Sequence, residues 1–178
     1  MVYIFLADGF EEIEALAPLD IMRRANIDVK TVGVTGEWVT GAHNITVKAD
    51  ILPGEVDYTK LDCVILPGGL PGTTNLEKDE RVQAAIDYAN EKGGLLCAIC
   101  AAPSILGHKG LLKGKEATCY PGFEDSFDGG VYVKKSVVKS GNIITSNGMG
   151  SAYKFAFEIT AALTSWEVAD KIKAQIQE

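Results

Sequence analysis

The segment Leu95-Leu96-Cys97-Ala98-Ile99-Cys100-Ala101-Ala102-Pro103 arrives as an apolar, strand-like run and breaks off at a cysteine followed by small residues and a proline. Such a pattern predicts a strand-to-helix turn with Cys100 at its apex, pushed out above a sheet and faced by the free amides of the next helix. A helix N-terminus carries partial positive charge and unpaired N–H groups, so a thiol held there is expected to ionise more readily. On position alone Cys100 is either such a nucleophile or an inert, buried thiol. A second candidate is Glu14, which follows Glu11 and Glu12 in a first helical turn and sits between Ile13 and Ala15-Leu16. Desolvated beside a thiol, its carboxyl group would hold a proton for transfer; left at the surface it would be one more solvated acid.

Elements that could bring these two groups together are legible from hydrophobic periodicity. Val2 to Leu6, Val29 to Val34, Cys63 to Leu66 and Leu95 to Ile99 read as short buried strands. Lys78 to Glu91 and Ser151 to Leu163 carry apolar stripes at helical spacing. Glu11 to Ala25 is helical in pattern, with Pro18 expected to kink or split it and leave Glu14 on a first short piece. Trp38 to Lys48 reads as a hairpin around Gly41-Ala42-His43-Asn44, Val131 to Ser146 as two or three further strands, and Thr164-Ser165-Trp166-Glu167 as a capping box opening a last helix. Alternation of strands and helices predicts an α/β sandwich, a largely parallel sheet covered on both faces, whose sites lie at the carboxyl ends of the strands. Three segments should meet there: Ala7 to Glu14, Leu66-Pro67-Gly68-Gly69-Leu70-Pro71-Gly72, and Cys100. The glycine pair is either a plain loop or a backbone that approaches a ligand closely enough for its amides to hold an oxyanion.

The 178 residues suit one domain spanning the whole chain, and a hydrophobic fraction of 47% fills a single large core. A net charge of −7 without any dense basic cluster argues against a nucleic-acid surface. No charged-then-apolar leader follows Met1 and no apolar run reaches the ~20 residues of a membrane span, so a cytoplasmic protein with no membrane partner is expected. Cys63, Cys97 and Cys119 accompany strand patterns and are expected to be free, packing thiols. Cys97 and Cys100 have the C-x-x-C spacing of a dithiol, but Cys97 belongs to the strand rather than to a helix start. His43 and His108 fall at no familiar ligand spacing, so no metal is called for.

Taken together and in order, Gly9-Phe10-Glu11-Glu12-Ile13-Glu14, Pro18-Leu19-Asp20-Ile21-Met22-Arg23-Arg24-Ala25, Leu66-Pro67-Gly68-Gly69, Ala98-Ile99-Cys100-Ala101-Ala102-Pro103 and Thr145-Ser146-Asn147-Gly148-Met149-Gly150 resemble the ThiJ/PfpI superfamily over almost the whole chain. The likeness is to the branch that contains the human parkinsonism-associated protein, described as glyoxalase III and protein deglycase. It implies a flavodoxin-like fold, usually dimeric, with Cys100 as the reactive cysteine, Glu14 as the carboxylic acid touching it, and the amides of Gly69 and Ala101 as the oxyanion-binding groups. Where many members carry a histidine before a proline, this chain has Tyr120 in Thr118-Cys119-Tyr120-Pro121. A phenol, which ordinarily ionises near pH ~10, donates a hydrogen bond but is no neutral-pH base, so a Cys-His dyad is not expected. Ala101 stands where the protease-like branch has a histidine, which argues against peptidase activity. His43 stands where the family often has an arginine near the dimer interface and reads as structural, and His108 reads as a helix-end residue.

The chemistry implied by the resemblance needs no cofactor. The Cys100 thiolate attacks the aldehyde of methylglyoxal or glyoxal, the Gly69 and Ala101 amides hold the oxyanion, Glu14 moves a proton between the two carbons, and water releases a 2-hydroxy acid. Glycated proteins are a second implied substrate. A different class of function fits the same residues, an oxidant sensor or redox-regulated chaperone in which Cys100 is oxidised to a sulfinate beside Glu14.

Overall fold

Residues Met1 to Glu178 are all described by a computed structural model. In chain order the regular elements are β1 (Val2–Leu6), α1 (Glu12–Arg24), β2 (Val29–Gly33), β3 (Trp38–Thr40), β4 (Thr46–Lys48), β5 (Cys63–Leu66), α2 (Gly72–Lys78), α3 (Glu80–Glu91), β6 (Leu95–Ile99) and α4 (Pro103–His108). There follow β7 (Glu116–Ala117), β8 (Val131–Tyr132), β9 (Val137–Ser140), β10 (Ile143–Ser146), α5 (Ala152–Leu163) and α6 (Trp166–Ile176). Six strands form one sheet in the order β2-β1-β5-β6-β10-β9, all parallel except β9, which runs antiparallel to β10. The remaining pairs are the β3-β4 hairpin and the short parallel pair of β7 and β8.

Period-two alternation explains how the sheet is covered on both sides. Along β1, Tyr3 and Phe5 enter a core shared with Val82, Ala85, Ile86 and Ala89 of α3, while Val2, Ile4 and Leu6 enter another shared with Ala15 and Met22 of α1 and Phe155 and Ile159 of α5. The same division runs through β5 and β6, where Val64, Leu66, Leu96 and Ala98 face α3 and Cys63, Ile65, Cys97 and Ile99 face α1 and α5. Outside these layers α6 lays Ala169 and Ile172 on Ala156 and Phe157 of α5. The result is the α/β sandwich expected from the sequence.

Three local expectations are corrected. Pro18 neither splits nor ends α1, which runs unbroken from Glu12 to Arg24. Its ring has a helical φ, and the buried stripe Ala15, Ala17, Pro18, Ile21 and Met22 clamps the helix between sheet and α5, so packing outweighs the loss of one amide donor. Glu14 therefore stands on a continuous, anchored helix. The helix expected over Lys78 to Glu91 is α3 and starts two residues later, because Lys78 closes α2 and Asp79 caps α3 by accepting from the Arg81 and Val82 amides. The cap of the last helix is Ser165, which accepts from Val168 N–H, whereas the Thr164 hydroxyl donates back to the Thr160 carbonyl; Glu167 therefore falls one position short of a capping box.

Candidate active site

Cys100 follows the last residue of β6 and has φ of +64°, a left-handed conformation that a non-glycine residue adopts only when its surroundings hold it there. Two hydrogen bonds do so: the Cys100 amide donates to the Ser146 carbonyl at 2.9 Å, and the Tyr120 amide donates to the Cys100 carbonyl at 2.8 Å. Thus the Thr118-to-Pro121 and Thr145-to-Gly150 motifs meet at the elbow through their backbones. Ser146 is itself fixed, its hydroxyl donating to the Ser136 carbonyl and contacting Ser151 Oγ at 2.6 Å.

The Gly69 and Ala101 amides act on the Cys100 thiol in the direction of the thiolate and are not spent on any backbone carbonyl. Gly69 occupies φ +88°, and a Cβ there would lie 2.4 Å from the Glu11 nitrogen, so no larger residue could present this amide at this place. Gly68 is required for a different reason. A Cβ on it would lie 2.6 Å from both Cys100 Cβ and Glu14 Oε2, so the bare Cα is what allows thiol and carboxyl to meet. The Gly68 amide donates to Glu14 Oε2 at 2.9 Å, and the Gly68 carbonyl accepts from the Glu11 amide at 2.8 Å. Glu11 in turn caps α1, its Oε2 accepting from the Glu14 amide at 2.7 Å.

Glu14 has no solvent exposure, and its Oε1 has no hydrogen-bond partner of full geometry. Burial pushes its pKa up to about 7, the Glu11 charge adds to the rise, and contacts with the thiol and with the Gly68 and Met149 amides restrain it. With Oε2 accepting, the undonated Oε1 is the oxygen on which a proton is best placed. The expectation of an easily ionised thiol is overturned: burial and the adjacent Glu14 carboxylate push Cys100 up to about 12, outweighing the Ala101 and Gly69 amides that favour the thiolate. Between those two values the pair holds a single proton, so a thiolate at neutral pH requires that the carboxyl carry it.

The other residues singled out from the sequence divide cleanly. Tyr120 is exposed, packs beside Gly148, and donates no hydrogen bond from its phenol within the chain; its contribution is the backbone bond to Cys100. Cys97 is buried in β6, its sulfur 3.7 Å from that of Cys63 and not paired with Cys100, and Cys119 is buried as expected. His43 Nδ1 lies 2.8 Å from Glu12 Oε2, and the His43 amide donates to Glu12 Oε1 at 2.7 Å. Hence Glu12, read as a solvated acid, is a buried anchor between α1 and the hairpin. His108 ends α4 and contacts Glu77 of α2. Glu11, Glu12 and His43 lie close enough together to suggest a cation site, but the oxygens of Glu12 are already taken by the hairpin. No spacing rule could have found the roles of Ser146 and Met149, which act through backbone atoms.

Fold and site define a class, α/β proteins with a cysteine on a strained strand-to-helix elbow beside a buried carboxylic acid. Residues 1–162 match the model of the DJ-1/PfpI family, and the chain belongs to that family. It is 37% identical over 172 residues to protein dj-1beta of Drosophila melanogaster, covering 95% of this chain and 92% of that one. A protein named as a deglycase from Thermococcus kodakarensis is 32% identical over 165 residues, covering 91% and 98%. Among solved structures, that of oxidised DJ-1 from Toxoplasma gondii superposes with a TM-score of 0.94 at 36% identity, covering 99% of this chain and 97% of the other. The flavodoxin-like fold expected for the family is therefore the one adopted.

Proposed function

We propose that this protein is a cofactor-independent glyoxalase III and deglycase-like enzyme that converts methylglyoxal, glyoxal or their adducts on proteins to 2-hydroxy acids. The observation that carries the reading is the meeting of Cys100 and the buried Glu14 carboxyl across the bare Gly68 Cα, beside two unspent amides. In the first step Cys100 Sγ adds to the aldehyde carbon while Glu14 holds the proton, and the new oxyanion accepts from the Gly69 and Ala101 amides. Glu14 then returns its proton to that oxygen, takes the hydrogen of the same carbon to leave an enediolate, and delivers it to the neighbouring carbon while the hydroxyl proton passes from the first oxygen to the second, so the two carbons exchange oxidation levels with no external oxidant. Water cleaves the resulting thioester, releasing lactate from methylglyoxal and restoring the thiol. The exposed Tyr120 phenol is free to donate to a bound carbonyl or hydroxyl. The deglycase name of the Thermococcus relative supports extension from free 2-oxoaldehydes to glycated proteins.

Exposed Ile13 on α1 with Met149 and Tyr153 at the start of α5 supports a homodimer through this face. No helix is long and apolar enough to cross a membrane; a cytoplasmic location belongs to the same proposal and is supported by four cysteines that form no disulfide with one another. A second reading, an oxidant sensor, draws on the half-buried position of Cys100 and on the oxidised Toxoplasma structure. Lactate formation without glutathione, in the wild type, Cys100→Ser and Glu14→Gln, tests the first reading; loss in both variants supports it. Absence of turnover in the wild type, with peroxide adding two oxygens to Cys100 by intact mass, would replace it with the second.

A further inference from the structure

Beside the elbow lies a polar cleft of about 390 Å³ bounded by α2, α4 and the turn Glu124–Phe127, which neither Cys100 nor Glu14 lines. It shares walls with the active site, since Leu70 follows Gly69 and Ser104 stands one turn after Ala101. Acceptors predominate in its lining, beside the Thr74 hydroxyl and the His108 ring. Ser104 Oγ spends its hydrogen on the Ala101 carbonyl at 2.8 Å, and Ser126 Oγ spends its own on the Phe123 carbonyl, so both hydroxyls offer only lone pairs to the cleft. Glu77 has one carboxylate oxygen on His108 and the other unengaged, and the Asp125 carboxylate is exposed at the rim. Thr73 is only 3% exposed, lines the cleft, and its buried Oγ1 has no partner. Buried polar atoms are normally satisfied, so the unpartnered Thr73 hydroxyl leaves this wall of the cleft with a polar group still to be met.

We infer that this cleft is a binding subsite for an organic cation, and specifically for a guanidinium group. Two carboxylates supply the charge complement, and the serine oxygens, Glu77 and Thr73 supply acceptors for several N–H bonds at once. A planar five-donor guanidinium matches that set better than a compact ammonium does, and the half-buried Phe123 ring offers it an apolar flank. Because the lining holds no lysine or arginine, an anion would meet two carboxylates and little else. The α4 backbone lies directly on the turn that closes the cleft, since a Cβ on Gly107 would lie 2.1 Å from the Ser126 carbonyl oxygen.

Titration of methylguanidinium into the full-length protein, followed by amide chemical shifts, tests the inference without requiring turnover. Saturable shifts centred on α2 and the Glu124–Phe127 turn are expected, with methylammonium weaker and acetate without effect. Asp125→Asn, at an exposed position, and Glu77→Gln should each weaken methylguanidinium binding about tenfold, as expected for loss of a charged hydrogen bond. Thr73→Val should weaken it further, and Cys100→Ser should leave it unchanged. No saturable shift, equal binding by acetate, or binding indifferent to Asp125 and Glu77 would each overturn the subsite, while leaving lactate formation as an independent test of the chemistry at Cys100.

Discussion

Glu12 and Glu14 stand two residues apart on the same helix, are 2% and 0% exposed, and are driven in opposite directions. Burial pushes both upward. For Glu12 it is overcome by the His43 ring, the His43 amide and the Ile45 amide, and the carboxylate is held below its ordinary range. Glu14 has the Gly68 amide on one oxygen and a thiol nearby, and rises to about 7. The difference teaches that burial does not assign a role to a carboxyl group; the count of donors around it does. Glu12 is an ion held for structure; Glu14, in the function proposed here, is a proton carrier held at some cost in stability.

The largest effect is expected from removing the proton carrier. Glu14→Gln should reduce lactate formation by roughly 10²- to 10⁴-fold, the usual worth of a positioned acid-base group. It also deletes the carboxylate that raises Cys100, so the thiol pKa should fall below its wild-type value of about 12, visible as thiolate absorbance against pH. A nucleophile that ionises more easily while turnover collapses would separate proton transfer from nucleophilicity; an unchanged thiol with unchanged turnover breaks the assignment of Glu14. In the wild type, kcat/KM should rise as pH passes through about 7, because the reactive state is the pair with one proton. That limb should be missing from Glu14→Gln.

Stability should sort the two glutamates by opposite signs. The folded pKa of Glu14 is raised, so the stabilising effect of its neutral form is complete below its unfolded value and is lost as pH rises through about 7. At pH ~8 the folded protein is therefore penalised, and Glu14→Gln should gain on the order of 2 kcal/mol in chemical denaturation. Glu12→Gln should instead lose about 1–3 kcal/mol at the same pH, since a buried acceptor is replaced where donors converge. Equal signs for the two variants would remove the distinction. Between these lies Gly68→Ala, whose Cβ must displace either Cys100 or Glu14; a cost of about 1–3 kcal/mol is expected, with activity falling far more than stability.

What was legible beforehand follows the same physics. The sheet, its covering helices and the elbow were readable because apolar periodicity and the break at Cys100-Ala101-Ala102-Pro103 are local signals. The meeting of Cys100 with Glu14 and with the Gly68-Gly69 backbone is one of two readings the residues leave open, and the resemblance adds the particular amides of Gly69 and Ala101. Not legible was the outcome of competing terms. The helix terminus favours a thiolate, yet burial and a neighbouring charge win, and no sequence pattern weighs them. Pro18 was misread because a breaker is a local signal and the clamp by α5 a distant one. Glu12 was passed over because its donors come from a hairpin some thirty residues away.

The smallest effect sharpens the comparison at its exposed end. His43 is raised by its hydrogen bond to Glu12 and by that carboxylate's charge, so its stabilising contribution is complete below its unfolded pKa near ~6.5 and is lost as pH rises through the higher folded value. Glu12 is lowered, so its contribution is present above its unfolded value of 4.5 and fails as pH falls through the folded one. The ion pair therefore works in a window from above 4.5 up to the raised folded pKa of His43, and only there should His43→Ala lower Tm. The loss should be slight even then, because the His43 and Ile45 amides continue to donate to Glu12 and the imidazole is largely in solvent. A Tm difference that persists undiminished in alkaline solution would show that the ring packs rather than pairs, and that backbone donors alone hold Glu12 ionised.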